Sequence, residues 1–168
     1  MLEGRAGQKA FILGQAPGVI EGEQGRPWRG RAGQTLRRWL GLEEDEFYAT
    51  FYCASVTRCY PGRAPAGGGD RTPSAREQDL CSLWREWELR LLGPRLIVPV
   101  GGLAIRRLLG VASLDASVGQ RFDYSDAVAV PLPHPSGVSR WMNEQSNQRR
   151  VRKAVALIHA ELQALDAA

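Results

Sequence analysis

Two short segments of this 168-residue chain concentrate groups able to do chemistry. Gly14-Gln-Ala-Pro-Gly18 sets an amide among glycines and a proline, and His134-Pro-Ser-Gly-Val-Ser-Arg140 carries one of only two histidines. Imidazole is the side chain whose ordinary pKa lies closest to neutrality. Gly and Pro make tight turns and let backbone approach a bound group closely, since no bulky side chain intervenes. Between the segments stand Glu21, Trp28 and Ser55. Gln15 can orient a water, but it cannot accept a proton and so cannot be a general base. His159 falls in the middle of an amphipathic pattern and reads as structural. Neither Gly-x-x-x-x-Gly-Lys nor Gly-x-Gly-x-x-Gly occurs, so a nucleotide-handling enzyme built on a phosphate loop has no support.

The elements that must position these groups follow from apolar patterning. Lys9-Ala-Phe-Ile-Leu13 reads as a buried parallel strand ending at Gly14. A Gly- and Pro-rich loop without periodicity runs from Gln15 to Gly30, and a helix follows over 31–42, with Leu36, Trp39 and Leu40 at helical spacing and Gly41 as its stop. Residues 49–57 read as a second strand that enters a loop at Tyr60. Thr72-Pro-Ser74 opens a helix with early Glu77, along which Leu80, Leu83, Trp84, Trp87 and Leu91 form an apolar stripe. Residues 95–100 predict a third strand, followed by a short helix through Leu103 and Leu108. A fourth strand over 127–132 delivers His134, and a last helix over 144–165 turns Val151, Val155, Ile158 and Leu162 inward. Strands alternating with helices predict a three-layer α-β-α fold around a central four-stranded, mainly parallel sheet, in one domain over 1–168. Loops after parallel strands converge at one edge of the sheet, so the Gln15 loop, Ser55 and His134 are expected to meet.

A net charge of +4 and a pI near 9.3 favour a polyanionic partner. Of 22 basic residues only Lys9 and Lys153 are Lys. Arg suits phosphate because its planar fork donates two hydrogen bonds at once, although a GC-rich genome produces the same bias. No apolar stretch is long enough for a membrane span, and the N-terminus lacks the apolar run of a signal peptide. A soluble cytoplasmic monomer, associated with the nucleoid by function, is expected. Cys53, Cys59 and Cys81 are expected to be free thiols.

Gly14-Gln-Ala-Pro-Gly18 with Glu21 and Gly25-Arg-Pro-Trp-Arg-Gly-Arg-Ala-Gly33 resembles motif A of the uracil-DNA glycosylases. Ser55-Val-Thr-Arg-Cys-Tyr-Pro61, with Thr72-Pro-Ser-Ala-Arg-Glu77 and Cys81, resembles the next strand and helix of the iron-sulfur, family 4/5-like bacterial branch. His134 to Arg140 resembles motif B. The segments stand in family order over about 125 residues. The resemblance implies a monofunctional glycosylase of base-excision repair that extrudes uracil or a related deaminated base from double- or single-stranded DNA and hydrolyses its bond to the sugar. It assigns His134 and Gln15 to catalysis, with Glu21 the nearest candidate for an acidic partner, and Trp28, Ser55, Ala16 and Gly18 to the base, with Asn143, Gln15 or backbone groups as the alternatives to Ser55 at the base edge. It assigns Pro17, Pro135, Ser136, Gly137, Val138, Ser139 and Arg140 to the DNA. In the family the aromatic matching Trp28 stacks on the base, the histidine matching His134 donates to the pyrimidine oxygen, and Val138 or Arg140 would be the wedge left in the stack.

Three positions depart from the pattern. Ser55 stands where the branch has an Asn that reads the uracil edge, and Gln15 where many members have Asp or Glu. Only Cys59 and Cys81 match the four cluster cysteines, so no iron-sulfur cluster, metal or other cofactor is expected. The first two departures keep open a second function class, a catalytically weak member that binds damaged or abasic DNA.

Overall fold

The computed structural model describes residues 1–65, 67, 69–136 and 140–167. Among these residues five strands form one sheet in the order β2-β1-β3-β5-β4. Strand β1 (Ala10–Gly14) is interior, with β2 (Phe51–Ser55) and β3 (Leu96–Pro99) parallel on either side. Their side chains alternate faces, as the pleat requires. Ala10, Ile12, Phe51, Cys53, Leu96 and Val98 feed one apolar cluster, and Phe11, Leu13, Tyr52, Ala54 and Ile97 feed the other. Both faces must therefore be covered, which is why these strands read as unbroken apolar runs.

The chain runs from β1 through α1 (Val19–Gln24), α2 (Arg31–Leu40) and α3 (Glu44–Thr50) into β2. It continues through α4 (Ala75–Leu80) and α5 (Ser82–Leu92) to β3, then α6 (Gly102–Leu109) and α7 (Leu114–Ser117). Strands β4 (Phe122–Tyr124) and β5 (Ala127–Ala129) precede a short 3-10 helix (Arg140–Asn143) and α8 (Gln145–Asp166). Leu36 and Leu40 of α2, Phe47 of α3, and Val151, Ala154 and Ile158 of α8 pack on one face of the sheet. Leu103, Ala104 and Leu108 of α6 pack on the other, with Leu89 and Leu92 of α5 at its margin. The three-layer architecture is as expected, with one more strand: β4 pairs antiparallel with β5 at the sheet edge.

Three local readings change. The first loop contains α1, stopped by Gly25 in the left-handed region at φ 69°. Helix α3 precedes β2, its capping box formed by Glu43 and Glu46. The stripe of Leu80, Leu83, Trp84, Trp87 and Leu91 faces solvent, with exposures from 55% to 79%. Helix α5 docks instead through Leu89 and Leu92, and through Glu88, which pairs with Arg58 and accepts from the Tyr52 hydroxyl. The predicted cap of α4 is present: Ser74 accepts from the Glu77 backbone at 3.3 Å, and the Glu77 carboxylate accepts from the Ser74 backbone at 2.6 Å.

Candidate active site

Strands β1 and β2 end in register, Gly14 opposite Ser55, and the segments beyond them stay paired. Val56 donates its N–H to Gly14 O at 2.9 Å, and Thr57 donates to Gln15 O at 3.2 Å. On the other side of β1, Leu132 bridges Val100 in parallel and donates to Pro99 O at 3.0 Å, two residues before His134. A cavity of about 720 Å³ lies over these strand ends, lined by Gln15, Glu21, Trp28, Ser55 and His134 among others. Its size falls within the roughly 300–1,000 Å³ usual for small-molecule pockets. Residues more than a hundred positions apart thus share one cleft at the edge where parallel strands end.

Trp28 has two neighbourhoods. It is 8% exposed and belongs to the core cluster under α2 and α8, and it also lines the cavity. A Cβ placed on Gly14 would lie 2.9 Å from the indole Cζ2 and 3.5 Å from the Ser55 hydroxyl, so ring and hydroxyl converge over the end of β1. The Trp28 backbone is left-handed, with φ 61°, a conformation that costs an L-residue roughly 1–2 kcal/mol. Several contacts hold it there. Arg37 donates to Trp28 O at 2.9 Å, and the Tyr48 hydroxyl donates to Pro27 O at 2.6 Å. Burial pushes the Tyr48 phenol up to about 12, so it remains a donor at any physiological pH. Gly33 of α2 sits so close that a Cβ there would lie 1.8 Å from Trp28 O.

His134 is half-buried, its Cβ against Gly101. Burial lowers its pKa below the ordinary 6.5, and the nearby negative charge of Glu21 opposes this without reversing it. The imidazole is therefore neutral at pH 7, with one ring N–H to donate. Glu21 takes the Gly30 N–H at 2.8 Å through Oε1, tying α1 to the start of α2. Ser55 is 6% exposed and lines the cleft.

Ala16, Pro17, Gly18 and Ser136 also line the cavity, whereas Pro135 is buried outside the lining. Arg140 is exposed at the start of the 3-10 helix. Asn143, expected at the base, is exposed at the end of that helix and does not line the cavity, because the chain has by then turned toward α8. Gly137, Val138 and Ser139 lie outside the described residues. His159 is placed as expected, its Nε2 at 2.8 Å from Leu40 O, joining α8 to the end of α2. The lining that sequence reading missed is the segment after β2: Pro61, Arg63, Gly69, Asp70 and Arg71 close one side of the cavity. Arg71 anchors it, donating to both Glu77 oxygens at 2.6 and 2.9 Å and to Pro61 O at 2.9 Å. This pairing holds the Glu77 carboxyl at about 2. The available signal was the long Gly-rich insertion between Cys59 and Cys81.

The thiols do not compose a four-cysteine set. Cys53 is buried in β2 with its thiol 3.6 Å from Phe51 O, and burial pushes its pKa up strongly. Cys59 is exposed and Cys81 half-buried at the α4–α5 junction. Among the described residues no three or more His, Cys, Asp or Glu side chains gather as a metal site. These donors do not fit an iron-sulfur cluster, which takes four thiolates.

The chain is similar to several known proteins. A type-4 uracil-DNA glycosylase of Thermotoga maritima is 27% identical over 155 residues, covering 89% of this chain and 74% of that protein. One from Pyrobaculum aerophilum is 31% identical over 110 residues, 64% of this chain and 51% of its own length. One from Sulfurisphaera tokodaii is 31% identical over 103 residues, 59% and 42% respectively. The matched stretches thus span about half or less of the last two relatives. The sequence model of the uracil DNA glycosylase superfamily matches residues 2–158, nearly the whole chain, and the chain belongs to that superfamily.

Proposed function

We propose that this chain, acting as a single domain, is a monofunctional DNA glycosylase that removes uracil or a related deaminated base from DNA. The observation that carries the reading is the meeting of Trp28, Ser55, Gln15 and His134 in one cleft at the strand ends. An extruded base stacks on the indole, a contact worth about 1–3 kcal/mol. His134, neutral because burial disfavours its charged form, donates to the base oxygen where negative charge collects as the bond to C1′ breaks. A donor already in place at that atom binds the transition state more strongly than the ground state. Gln15 orients the water, and Ala16 and Gly18 bring backbone against the nucleotide. Pro17, Pro135, Ser136 and the segment through Arg140 contact the DNA strand. Ser55 offers the base edge a hydroxyl, which is less discriminating than an amide, so related deaminated bases join uracil in the substrate class. No helix among the described residues is long and apolar enough to cross a membrane.

The test is incubation with labelled oligonucleotides carrying U·G, U·A, single-stranded U, hypoxanthine or xanthine, followed by alkali. Strand cleavage at the modified position, lost in His134→Ala, is the expected result. The substitutions at Gln15 and Ser55 favour a second reading, a binder of damaged or abasic DNA. Tight, salt-sensitive binding to every substrate with cleavage of none would establish that reading instead.

A further inference from the structure

In the hydrolytic half of this reaction Gln15 cannot take a proton, and Glu21 gives one oxygen to the Gly30 N–H while its other oxygen faces Gly18. A second carboxylate reaches the cleft from the wall opposite. Asp70 lines the cavity, and a Cβ placed on Gly18 would lie 3.2 Å from Asp70 Oδ2 and 2.7 Å from Glu21 Oε2. Asp70 is not a loose loop carboxylate. Its backbone pairs with Arg63 in an antiparallel bridge, flanked by Ala64 N–H to Gly69 O at 3.0 Å and Arg71 N–H to Gly62 O at 2.8 Å. The Tyr60 hydroxyl donates to Oδ1 at 2.9 Å, leaving Oδ2 turned toward Gly18.

We propose that Asp70 is a catalytic carboxylate that faces C1′ of the extruded nucleotide. The inference rests on the glycosylase reading. With the base against buried Trp28 and Ser55, the sugar that joins it to the DNA strand lies toward the exposed part of the lining. Gly18 and exposed Asp70 lie side by side there, Asp70 Oδ2 3.2 Å from where a Gly18 Cβ would stand, so the sugar passes beside both. As the C1′–N bond breaks, its electron pair leaves with the base and the sugar becomes cationic. A negative oxygen at C1′ stabilises that charge. Water then forms the C1′–O bond, its proton passes to Asp70 Oδ2, and the product is an abasic hemiacetal. The carboxylate that motif A lacks at Gln15 is thus supplied from the other wall.

The test uses two DNA duplexes alike except at one position, which carries either a neutral tetrahydrofuran abasic analogue or its cationic pyrrolidine counterpart. In fluorescence anisotropy, wild-type protein is expected to bind the cationic duplex about tenfold or more tightly than the neutral one. Asp70→Asn is expected to abolish that preference while binding the neutral duplex within about twofold of wild type. Single-turnover cleavage of the U·G oligonucleotide is expected to fall about a hundredfold or more. Asp70→Ser, with no amide to mimic the carboxylate shape, repeats both measurements, and melting curves verify folding. Equal wild-type affinity for the two duplexes, or a cation preference that survives both substitutions, overturns the proposal. A preference lost with Asp70 in a protein that cleaves none of the tested bases leaves Asp70 facing the sugar and overturns only the glycosylase reading.

Discussion

The two walls of the cleft are built on opposite principles. The wall from Gly14 to Gly33 is continuous with the core: the Trp28 ring packs under α2, Gly33 touches the Trp28 carbonyl, and Tyr48 and Arg37 fix the intervening backbone. The described residues of the wall over 61–71 are exposed or half-buried, and the wall is tied down by side chains, chiefly the Arg71–Glu77 fork and the Tyr60–Asp70 contact. A buried contact cannot be altered without disturbing its neighbours, because interiors are close-packed. An exposed ion pair contributes little to stability, yet it can still set where a loop stands. The first wall should therefore couple stability to catalysis, and the second should separate them.

The sharpest way to break this contrast is Trp28→Ala. Removing a large buried aromatic costs about 3–5 kcal/mol, and the stacking platform disappears with it. Both the melting temperature and cleavage are expected to collapse, and a variant that melts like wild type would show the first wall to be independent of the core.

Gly33→Ala comes next. A methyl 1.8 Å from a carbonyl oxygen forces α2 away from Trp28, and overpacking of this kind costs about 3 kcal/mol. For a chain of this size that lowers the melting temperature by roughly 6–12 °C. Calorimetry reads it directly, and a change under 2 °C would mean that α2 is not seated on Trp28.

On the other wall, Glu77→Gln removes the fork's charge while keeping its shape. The expected stability change is small, because solvent screens an exposed pair, whereas kcat/KM on the oligonucleotide falls several-fold as the loop loses its tether. A large loss of stability with unchanged kcat/KM would invert the comparison.

The smallest effect concerns pH. His134 titrates lower in the folded chain than in the unfolded one, so the unfolded state binds more protons once the pH falls below about 6.5. The stability that neutral His134 contributes is complete above that pH and declines as the pH drops toward the lowered folded value. Urea melts between pH 7.5 and 5 are expected to show this slope in the wild type and a flatter one in His134→Gln. Identical slopes would place the imidazole in water.

Much of the first wall was legible in the residues. Lys9 to Leu13 announced β1, and the Gly14–Gly18 and His134 motifs marked the two loops that meet. Other features stayed hidden for physical reasons. Helix α3 was obscured because Phe47 and Tyr48 run directly into Phe51, Tyr52 and Cys53, so strand-forming residues mask a helix whose only signal is the Glu43/Glu46 box. Strand β4 has three residues, none buried, and was discernible only from the turn at Ser125 and Asp126. Periodicity identified the stripe along α4 and α5, but the phase of a helix does not say which side the rest of the chain covers. The second wall was illegible because Pro61 to Arg71 has no repeating pattern. Its position follows from single side chains such as Arg71 gripping Glu77, and composition carries no record of such pairings.

The contact between Gly33 and the Trp28 carbonyl has a consequence at a distance. A base pressing on the indole also presses on the first turn of α2, which in turn lies against α8. Filling the cleft should therefore slow amide hydrogen exchange along both helices, far from any nucleotide, so that solvent-shielded backbone reports occupancy that the mouth itself would register only weakly.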